Sequence, residues 1–256
     1  MDGSIIAFAP RMQGTASQDN VACPPSNCTC CKLREACVLE ECHHESVATR
    51  LRVKRGEALF RAGDRFRLLY IVHSGFFKTS SLTEDGRDQV TGFHMGGEVI
   101  GMDGIEDDHH KLTAIALEDS NVCSIPFSAL ESTCSREPML QHRLFKLMSK
   151  EIVRNQEIAL LLGSMRAEER VAAFLLDLSR RLQERGYAGS EFHLRMTREE
   201  IGSYLGLKLE TVSRTFSKFQ EMGLFEVSNK HISGLDRAGL EATMEEAGLQ
   251  RAAARA

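Results

Sequence analysis

A run of cysteines near the N-terminus is the first candidate for chemistry in this sequence. Six of the eight cysteines in the 256-residue chain belong to it: Cys23, Cys28, Cys30, Cys31, Cys37 and Cys42. Iron–sulfur clusters take four cysteine thiolates, zinc accepts a similar spacing, and a thiol–disulfide switch needs only two cysteines. Structural disulfides are rare in cytosolic chains, so the run predicts metal or redox chemistry and leaves these three alternatives open.

A second candidate is the trio Glu210, Ser213 and Arg214, within the stretch 196–220, MTREEIGSYLGLKLETVSRTFSKFQ. On a helix this spacing brings the three side chains onto one patch. A carboxylate can accept a hydrogen bond from a cytosine amino group, and an arginine can donate two to guanine. The trio therefore predicts a helix that reads bases in the major groove of DNA. The alternative is an ordinary helical hairpin whose charges are solvated.

Two short helices joined by a turn would position this trio. Thr197 and Glu200 form the pattern of a capping box at the start of the first helix, and Gly206 ends that helix. The second helix has apolar residues at helical spacing, which predict a buried stripe: Leu209, Val212, Phe216 and Phe219. The arrangement is that of a helix-turn-helix, in which the first residues of the second helix touch base edges.

A wing is predicted directly after these helices. Gly223 ends the second helix, and LFEVSNKHI then predicts two short strands around a Ser-Asn-Lys turn. Lys230 would lie where this wing meets phosphate, and Thr197 and Lys208 are further candidates for DNA contacts. The formal net charge is −4, but phosphate affinity needs only a local basic face. The basic residues around the motif are Arg195, Arg198, Lys208, Arg214, Lys218 and Lys230.

The middle of the chain predicts a β-structure followed by a long helix. Between about residues 47 and 135, short apolar segments alternate with glycine turns, a pattern typical of an antiparallel barrel or roll. Cys123 lies in one of these strands, where a buried apolar thiol is the ordinary alternative to a functional one. From Pro138 to Gly163 the pattern is helical and rich in apolar residues. We predict a dimerisation helix, with a simple core helix as the alternative; the predicted contact residues are Leu144, Leu147, Met148, Ile152 and Asn155.

Composition limits the remaining possibilities. No apolar run approaches the length of a membrane span, and the N-terminus lacks the pattern of a signal peptide. We therefore expect a cytoplasmic protein without a membrane partner. An enzyme with a cysteine nucleophile is a distant alternative, because no Cys/His/Asp constellation lies on predicted ordered elements. The expected protein is not an enzyme.

A roll, a long helix and a winged helix in this order resemble the CRP/FNR superfamily of bacterial transcription regulators. The resemblance covers nearly the whole chain after residue 20, and within the superfamily the sequence is most similar to the FNR group, which senses oxygen through a [4Fe-4S] cluster. The motifs that carry the resemblance are FxAGD at 60–64, TGFH at 91–94, VCxIPF at 122–127, AEER at 167–170 and YLGLxxETVSR at 204–214.

The resemblance implies a ligand set for the cluster. Three N-terminal cysteines and the cysteine of the VCxIPF strand would hold it, which in this chain are Cys28, Cys31, Cys37 and Cys123. The register of Cys23 and Cys30 departs from the pattern of the group, so either could be a surplus thiol or a competing ligand. The alternative is a regulator of the same fold that uses its cysteines as a zinc site or a thiol–disulfide switch.

The resemblance also implies partners. A homodimer would bind double-stranded DNA and contact RNA polymerase while the cluster is intact, and oxygen would convert the cluster, weaken the dimer helix and release the DNA. The cyclic-nucleotide-binding members carry an Arg-Ser pair that grips the cyclic phosphate. Here Gly97-Glu98 is present, but the later segment reads His-His-Lys-Leu-Thr at 109–113, so no cyclic nucleotide is expected.

The reading helix carries a further departure that concerns DNA sequence. The CRP branch has an arginine just before its glutamate, where this chain has Leu209. A leucine cannot donate to guanine but can pack on a thymine methyl group. The resemblance therefore implies the FNR-type half-site TTGAT in place of the CRP-type half-site TGTGA.

The sequence thus predicts an α+β chain in five parts. Residues 1–46 are a disordered start and a cysteine-rich cluster-binding segment, and residues 47–136 are a β-roll of the cyclic-nucleotide-binding type. Residues 137–163 form the dimerisation helix, residues 164–236 the winged helix-turn-helix, and residues 237–256 a C-terminal tail.

Overall fold

Two antiparallel sheets form the first half of the fold in the computed structural model, which describes residues 21–22, 49–83 and 86–253. The strands are β1 (Val21–Ala22), β2 (Thr49–Val53), β3 (Ala58–Phe60), β4 (Leu68–Ser74), β5 (Phe76–Leu82), β6 (Asp88–Met95), β7 (Val99–Ile100), β8 (Thr113–Ala116) and β9 (Ser120–Pro126). One sheet has the order β1-β2-β9-β4-β7 and the other the order β3-β8-β5-β6. This is the predicted β-roll.

Gly75 illustrates why glycines separate these strands. It connects β4 with β5 at a φ of 98°, a conformation that residues with a Cβ rarely adopt. A Cβ added there would lie 2.0 Å from the Ser120 Oγ. That hydroxyl accepts a hydrogen bond from the backbone N of Phe76 at 3.3 Å. Gly75 therefore leaves room for the Ser120 side chain of β9 to hydrogen-bond to the strand that follows the β4–β5 turn.

Alternation along the strands divides the apolar residues of the roll between two cores. Val72, Phe77 and Val122 lie in the core between the two sheets. The other face of the first sheet packs against helices, in what we call the roll–helix cluster: Phe66, Leu69, Ile71, Val99, Ile125, Leu130, Cys134 and Leu140. Because strand residues i and i+2 share a face, Cys123 packs with Ile125 against this second core.

Two helices follow the roll, α1 (Phe127–Cys134) and the long helix α2 (Pro138–Ser164). Leu140, near the start of α2, is buried against the roll, and Leu161, near its end, is buried against the DNA-binding domain. Between these points Phe145, Ile152 and Leu160 are 56 %, 56 % and 68 % exposed. An apolar stripe of this kind is typical of a surface that another chain covers.

The C-terminal part is a winged helix-turn-helix. Its elements are α3 (Ala167–Gln183), β10 (Phe192–His193), α4 (Arg198–Leu205), α5 (Leu209–Glu221), β11 (Glu226–Ser228), β12 (His231–Ser233) and α6 (Arg237–Ala253). The three strands form a sheet in the order β10-β12-β11. The α+β fold class predicted from the sequence is confirmed.

The C-terminal segment 237–256, whose first part has a weakly helical sequence pattern, contains α6. Leu240 is fully buried in the core of the DNA-binding domain, and Met244, one turn later, packs against the same core. This i, i+4 spacing gives α6 an apolar stripe. The DNA-binding domain therefore extends beyond residue 236. Among the described residues, no helix combines the length and apolar character required to cross a lipid bilayer.

Candidate functional site

The helix-turn-helix begins with the capping box that its sequence predicts. The backbone N of Glu200 donates to Thr197 Oγ1 at 3.1 Å, and the backbone N of Thr197 donates to Glu200 Oε2 at 2.7 Å. Gly206 ends α4 at a φ of 62°. A Cβ on Gly202 would lie 2.6 Å from the carbonyl oxygen of Leu207, so the turn needs a second glycine that no sequence pattern indicated.

Helix α5 has one buried face and one exposed face. Val212, Phe216 and Phe219 are buried in the domain core. Leu209, which was predicted to belong to the same buried stripe, is instead exposed at the first position of the helix. Glu210, Ser213 and Arg214 are exposed, and their i, i+3, i+4 spacing places them side by side. Within the described part of the chain, neither Glu210 nor Arg214 has an ion-pair or hydrogen-bond partner. Both side chains are therefore available to base edges.

Two of the basic residues around the motif are engaged in ion pairs. Lys218 Nζ lies 2.7 Å from Glu168 Oε1, and Arg195 Nε lies 3.2 Å from Glu118 Oε2. The carboxylates belong to the start of α3 and to the β8–β9 turn. Exposed pairs of this kind are weak, so they compete with DNA phosphate without excluding it.

Two further basic residues are held within the DNA-binding domain. The Arg198 guanidinium lies 3.3 Å from the centre of the Phe216 ring, and burial lowers the pKa of Arg198 to about 10. Lys230 Nζ donates to the carbonyl oxygen of Arg195 at 3.2 Å. Lys208 and Arg214 have no such contact in the part of the chain that is described. The local basic face is therefore narrower than the sequence pattern indicates.

The wing consists of β11 and β12, as predicted. The turn between them is Asn229-Lys230, and Asn229 has a φ of 57°, which asparagine tolerates better than most residues. Lys230 is half-buried, and Thr197 is exposed at the start of α4.

Cys123 lies half-buried in β9. It pairs with Arg50 of β2 on one side and with Ile71 of β4 on the other. The face it shares with Ile125 packs on the roll–helix cluster, which includes Leu140 at the start of α2. Cys123 and the base of the long helix therefore border the same close-packed core.

The cysteine-rich segment is attached next to this strand. Its six cysteines lie outside the described residues: Cys23, Cys28, Cys30, Cys31, Cys37 and Cys42. The residues that flank the segment are described. They belong to β1 and β2, which pair with Ala22 opposite Thr49 and Val21 opposite Arg50. Arg50 in turn lies opposite Cys123. Ala22 and Thr49, which flank the segment 23–48, therefore lie about two strand spacings or less from β9, roughly 5–10 Å.

Among the described thiols, Cys123 fits a thiolate-bound group better than Cys134. Cys134 is 7 % exposed within the roll–helix cluster, and burial, with the charges of Glu131 and Glu137, raises the pKa of its thiol. Metals bind the thiolate rather than the thiol, which makes Cys134 a poor ligand. The described residues contain no group of three or more His, Cys, Asp or Glu placed to hold a metal ion. A cluster at Cys123 would therefore need ligands from the segment 23–48.

The predicted dimerisation residues divide between two faces of α2. Leu144 and Leu147 pack against the roll–helix cluster of their own chain. Met148 is half-buried, while Ile152 and Asn155 are exposed. The outward residues follow the 3-4-3 spacing of a coiled-coil seam. We call them the dimer stripe: Phe145, Met148, Ile152 and Asn155.

A charged group that the sequence reasoning missed lies where the roll, α2 and α3 meet. We call it the Glu98 cluster: Glu98, Arg154, Arg181 and Arg185. The Glu98 carboxylate lies 2.7 Å from Arg181 Nη2, 2.6 Å from Arg185 Nη2 and 3.6 Å from Arg154 Nη1. Burial raises the pKa of Glu98, but Arg181, Arg154, His94 and Arg185 more than offset this and lower it from 4.5 to about 2.

Acid is expected to destabilise this junction. Burial, with Arg154 nearby, lowers the pKa of His94 from 6.5 to about 3. As pH falls, the His94 side chain is therefore protonated in the unfolded chain before it is protonated in the folded chain. The free energy of unfolding then decreases as pH drops from about 6.5 towards 3. The lowered pKa of Glu98 gives stability that is present above pH 4.5 and lost as pH falls through about 2. Urea unfolding across pH should show a flatter profile between pH 6.5 and 4.5 for His94→Gln. An unchanged slope in that variant would contradict this assignment.

Comparisons with known proteins agree with this architecture. Family models described as Crp-like helix-turn-helix domain and cyclic nucleotide-binding domain match residues 169–243 and 50–137. The chain is 45 % identical over 188 residues to the transcriptional activator protein FnrA of Stutzerimonas stutzeri, covering 73 % of this chain and 77 % of that one. It is 45 % identical over 181 residues to the fumarate and nitrate reduction regulatory protein of Escherichia coli K12, covering 71 % and 72 % of the two chains.

Solved structures show the same fold. The structure of FixK2 from Bradyrhizobium japonicum matches with a TM-score of 0.71 and 32 % identity, covering 77 % of this chain and 96 % of that one.

Proposed function

Because the chain belongs to the FNR group of the CRP/FNR superfamily of bacterial transcription regulators, we propose that it is an oxygen-responsive regulator that binds DNA as a dimer when it holds a [4Fe-4S] cluster. It is an FNR-type regulator with a helix-turn-helix DNA-binding domain. Beyond this family-level function, the proposal concerns the DNA sequence that is bound, the cluster and the dimer. Its main support is Cys123, which lies between the attachment point of the cysteine-rich segment and the base of the long helix.

The exposed face of α5 supports a TTGAT half-site. Arg214 can donate to guanine and Glu210 can accept from the paired cytosine, while Ser213 contacts a neighbouring base. Leu209 in the first turn of α5 is 45 % exposed, which leaves it able to contact a thymine methyl group. Thr197, Lys208 and Lys230 would contact phosphate and fix the position of the domain on the duplex.

The thiol set suits a [4Fe-4S] cluster. Cys28, Cys31 and Cys37 would hold it together with Cys123, and the cluster would supply iron that reacts with oxygen. Cys123 would fix the group to β9. Because β9 packs on the roll–helix cluster, Leu140 and Leu144 would pass a shift of this strand to α2.

The dimer stripe supports assembly of two copies of the chain through α2. Phe145 and Ile152 are exposed although they are large and apolar. A coiled-coil contact would bury them, and the amide of Asn155 would set the register. The dimer would place two copies of α5 about one helical turn apart on DNA, as in two-fold regulators of this kind. RNA polymerase would be the further partner of the DNA-bound dimer.

The roll is proposed to hold no cyclic nucleotide. Glu98 follows Gly97, but its carboxylate is surrounded by three arginines of its own chain. The Asp103 carboxylate accepts hydrogen bonds from the backbone N of Lys111 at 2.8 Å and of Leu112 at 3.0 Å. An internal carboxylate thus occupies backbone donors that could otherwise bind a phosphate.

Selection of binding sites from random DNA tests the proposed function. We expect the anaerobically purified protein to select a palindrome of TTGAT half-sites. Selection of TGTGA half-sites, or of no palindrome, would contradict the proposal.

The dimer stripe leads to a prediction for Asn155. An acidic residue at this position would face its twin across the dimer axis, and two like charges at about 4 Å repel by about 1 kcal/mol in water. We therefore expect the cluster-free protein to dimerise more readily than Asn155→Asp, by about fivefold in dissociation constant. Sedimentation measures this, with Gln156→Glu on a neighbouring exposed position as the control. A strictly monomeric cluster-free protein and no effect of Asn155→Asp would refute it.

A further inference from the structure

We infer that Arg154 is the positioning residue that fixes the DNA-binding domain to the long helix, and that it acts through Glu98 of the roll. The inference rests on the proposed function only in that DNA binding is its readout. Arg154 lies on α2 beside the dimer stripe, but its side chain points inwards and is only 18 % exposed. The long helix, the roll and the DNA-binding domain meet around this side chain.

The contacts of Arg154 reach each of these parts. Its Nη2 donates to the carbonyl oxygen of Phe93 in β6 at 2.9 Å. Its Nη1 lies 3.6 Å from the Glu98 carboxylate. Phe93 in turn makes an edge contact with Tyr204 of α4, the first helix of the helix-turn-helix, with 5.2 Å between the ring centres, and the charge of Arg154 opposes the burial that raises the pKa of Tyr204. The Arg154 guanidinium therefore joins the long helix to the residue of the roll that packs on the DNA-binding domain.

Two arginines, one at the end of α3 and one just after it, bind the same acceptors. Arg181 Nη2 donates to the carbonyl oxygen of Phe93 at 2.7 Å and to Glu98 Oε2 at 2.7 Å. Arg185 Nη2 donates to Glu98 Oε1 at 2.6 Å. Since Arg154 and Arg181 share two acceptors, the position of α2 and the position of α3 depend on each other.

The roll also holds α4 by contacts that do not involve the arginines. Lys78 Nζ lies 3.0 Å from Glu200 Oε1, and the backbone N of Val90 donates to Ser203 Oγ at 2.8 Å. The rings of Phe93 and Tyr204 lie 5.2 Å apart in an edge contact. All these contacts are on the side of α4 that faces the roll, while Glu210 and Arg214 on α5 remain exposed. The junction therefore positions the reading helix and does not cover it.

The test compares three properties of Arg154→Met, measured separately. We expect normal cluster absorbance and a normal dimer, but an affinity for a TTGAT palindrome that is about tenfold lower. Arg180→Met is the matched control, because the partners of Arg180 among the described residues are Asp177 on its own helix and Glu184 directly after it. It should bind DNA as the unmodified chain does. Arg154→Met with unchanged or tighter DNA binding would overturn the inference, and so would loss of the cluster or the dimer in that variant.

Two further variants keep the inference testable if Arg154→Met does not fold. Tyr204→Phe keeps the ring contact with Phe93 and removes only the hydroxyl group on which the charge of Arg154 acts. We expect it to weaken DNA binding about threefold; no loss would overturn the inference. The double variant Tyr204→Phe/Arg154→Lys should lose less DNA-binding free energy than the sum of the losses in the two single variants. Strictly additive losses would contradict the inference that the two residues act together. Failure of the unmodified chain to bind DNA would contradict the proposed function instead.

Discussion

Serine in place of Cys123 is expected to abolish the visible absorbance of the anaerobic protein and its DNA binding together. Four thiolates are required for the proposed cluster, and a serine hydroxyl does not replace one. Cys123 is the proposed ligand that belongs to an ordered strand and contacts the core under α2. Losing it would remove both the cluster and the connection to the dimer helix. Absorbance spectra and gel-shift titrations of the same anaerobic sample measure the two effects.

Matched serine variants separate ligands from bystanders. Serine at Cys28, Cys31 or Cys37 should have the effect of Cys123→Ser, whereas Cys134→Ser and Cys42→Ser should leave absorbance and DNA binding nearly intact. Cys23 and Cys30 test the register: if Cys30 can replace Cys31, each of these single variants keeps part of its cluster. Full cluster occupancy in Cys123→Ser would refute the proposed ligand set.

Alanine in place of Arg214 is expected to cost about 1–3 kcal/mol of DNA binding and to relax specificity at the G·C pair of each half-site. The reason is that Arg214 is exposed beside Glu210 and has no partner in the described part of the chain. Lys230→Ala should instead weaken all DNA sequences about equally and lower the salt slope by about one. Titrations against intact and mutated half-sites at several salt concentrations distinguish the two effects.

Lys218→Ala is the control for Arg214→Ala on the same helix. Lys218 is paired with Glu168 at 2.7 Å, so its removal should leave the preference among half-sites unchanged. Equal losses on every DNA sequence for Arg214→Ala would contradict its role as a base reader.

Local patterns were sufficient to predict the helix-turn-helix. The Thr197–Glu200 capping box, the αL conformation of Gly206 and the buried stripe of α5 all involve residues within a few positions of one another. Such features depend on the spacing of residues a few positions apart and on the conformational preferences of single residue types, and both can be taken from the sequence. The roll was predictable for a similar reason, because its glycines mark strand ends.

The Glu98 cluster could not be predicted in this way. Arg181 and Arg185 lie 83 and 87 residues from Glu98, and an arginine on an amphipathic helix ordinarily faces water. Only the docking of α3 on the roll brings these charges together. A related difficulty concerns α2, where apolar residues at helical spacing serve two faces. The sequence alone does not show that Leu144 covers the roll while Ile152 faces outwards.

The most direct test of the proposed oxygen response is to follow visible absorbance and binding to a TTGAT palindrome in one anaerobic sample as air is admitted. We expect the absorbance, the dimer and the DNA binding to decline together. DNA binding that persists after the absorbance is lost would contradict the account. So would a colourless protein with bound zinc, or one whose DNA binding follows only thiol oxidants and reductants.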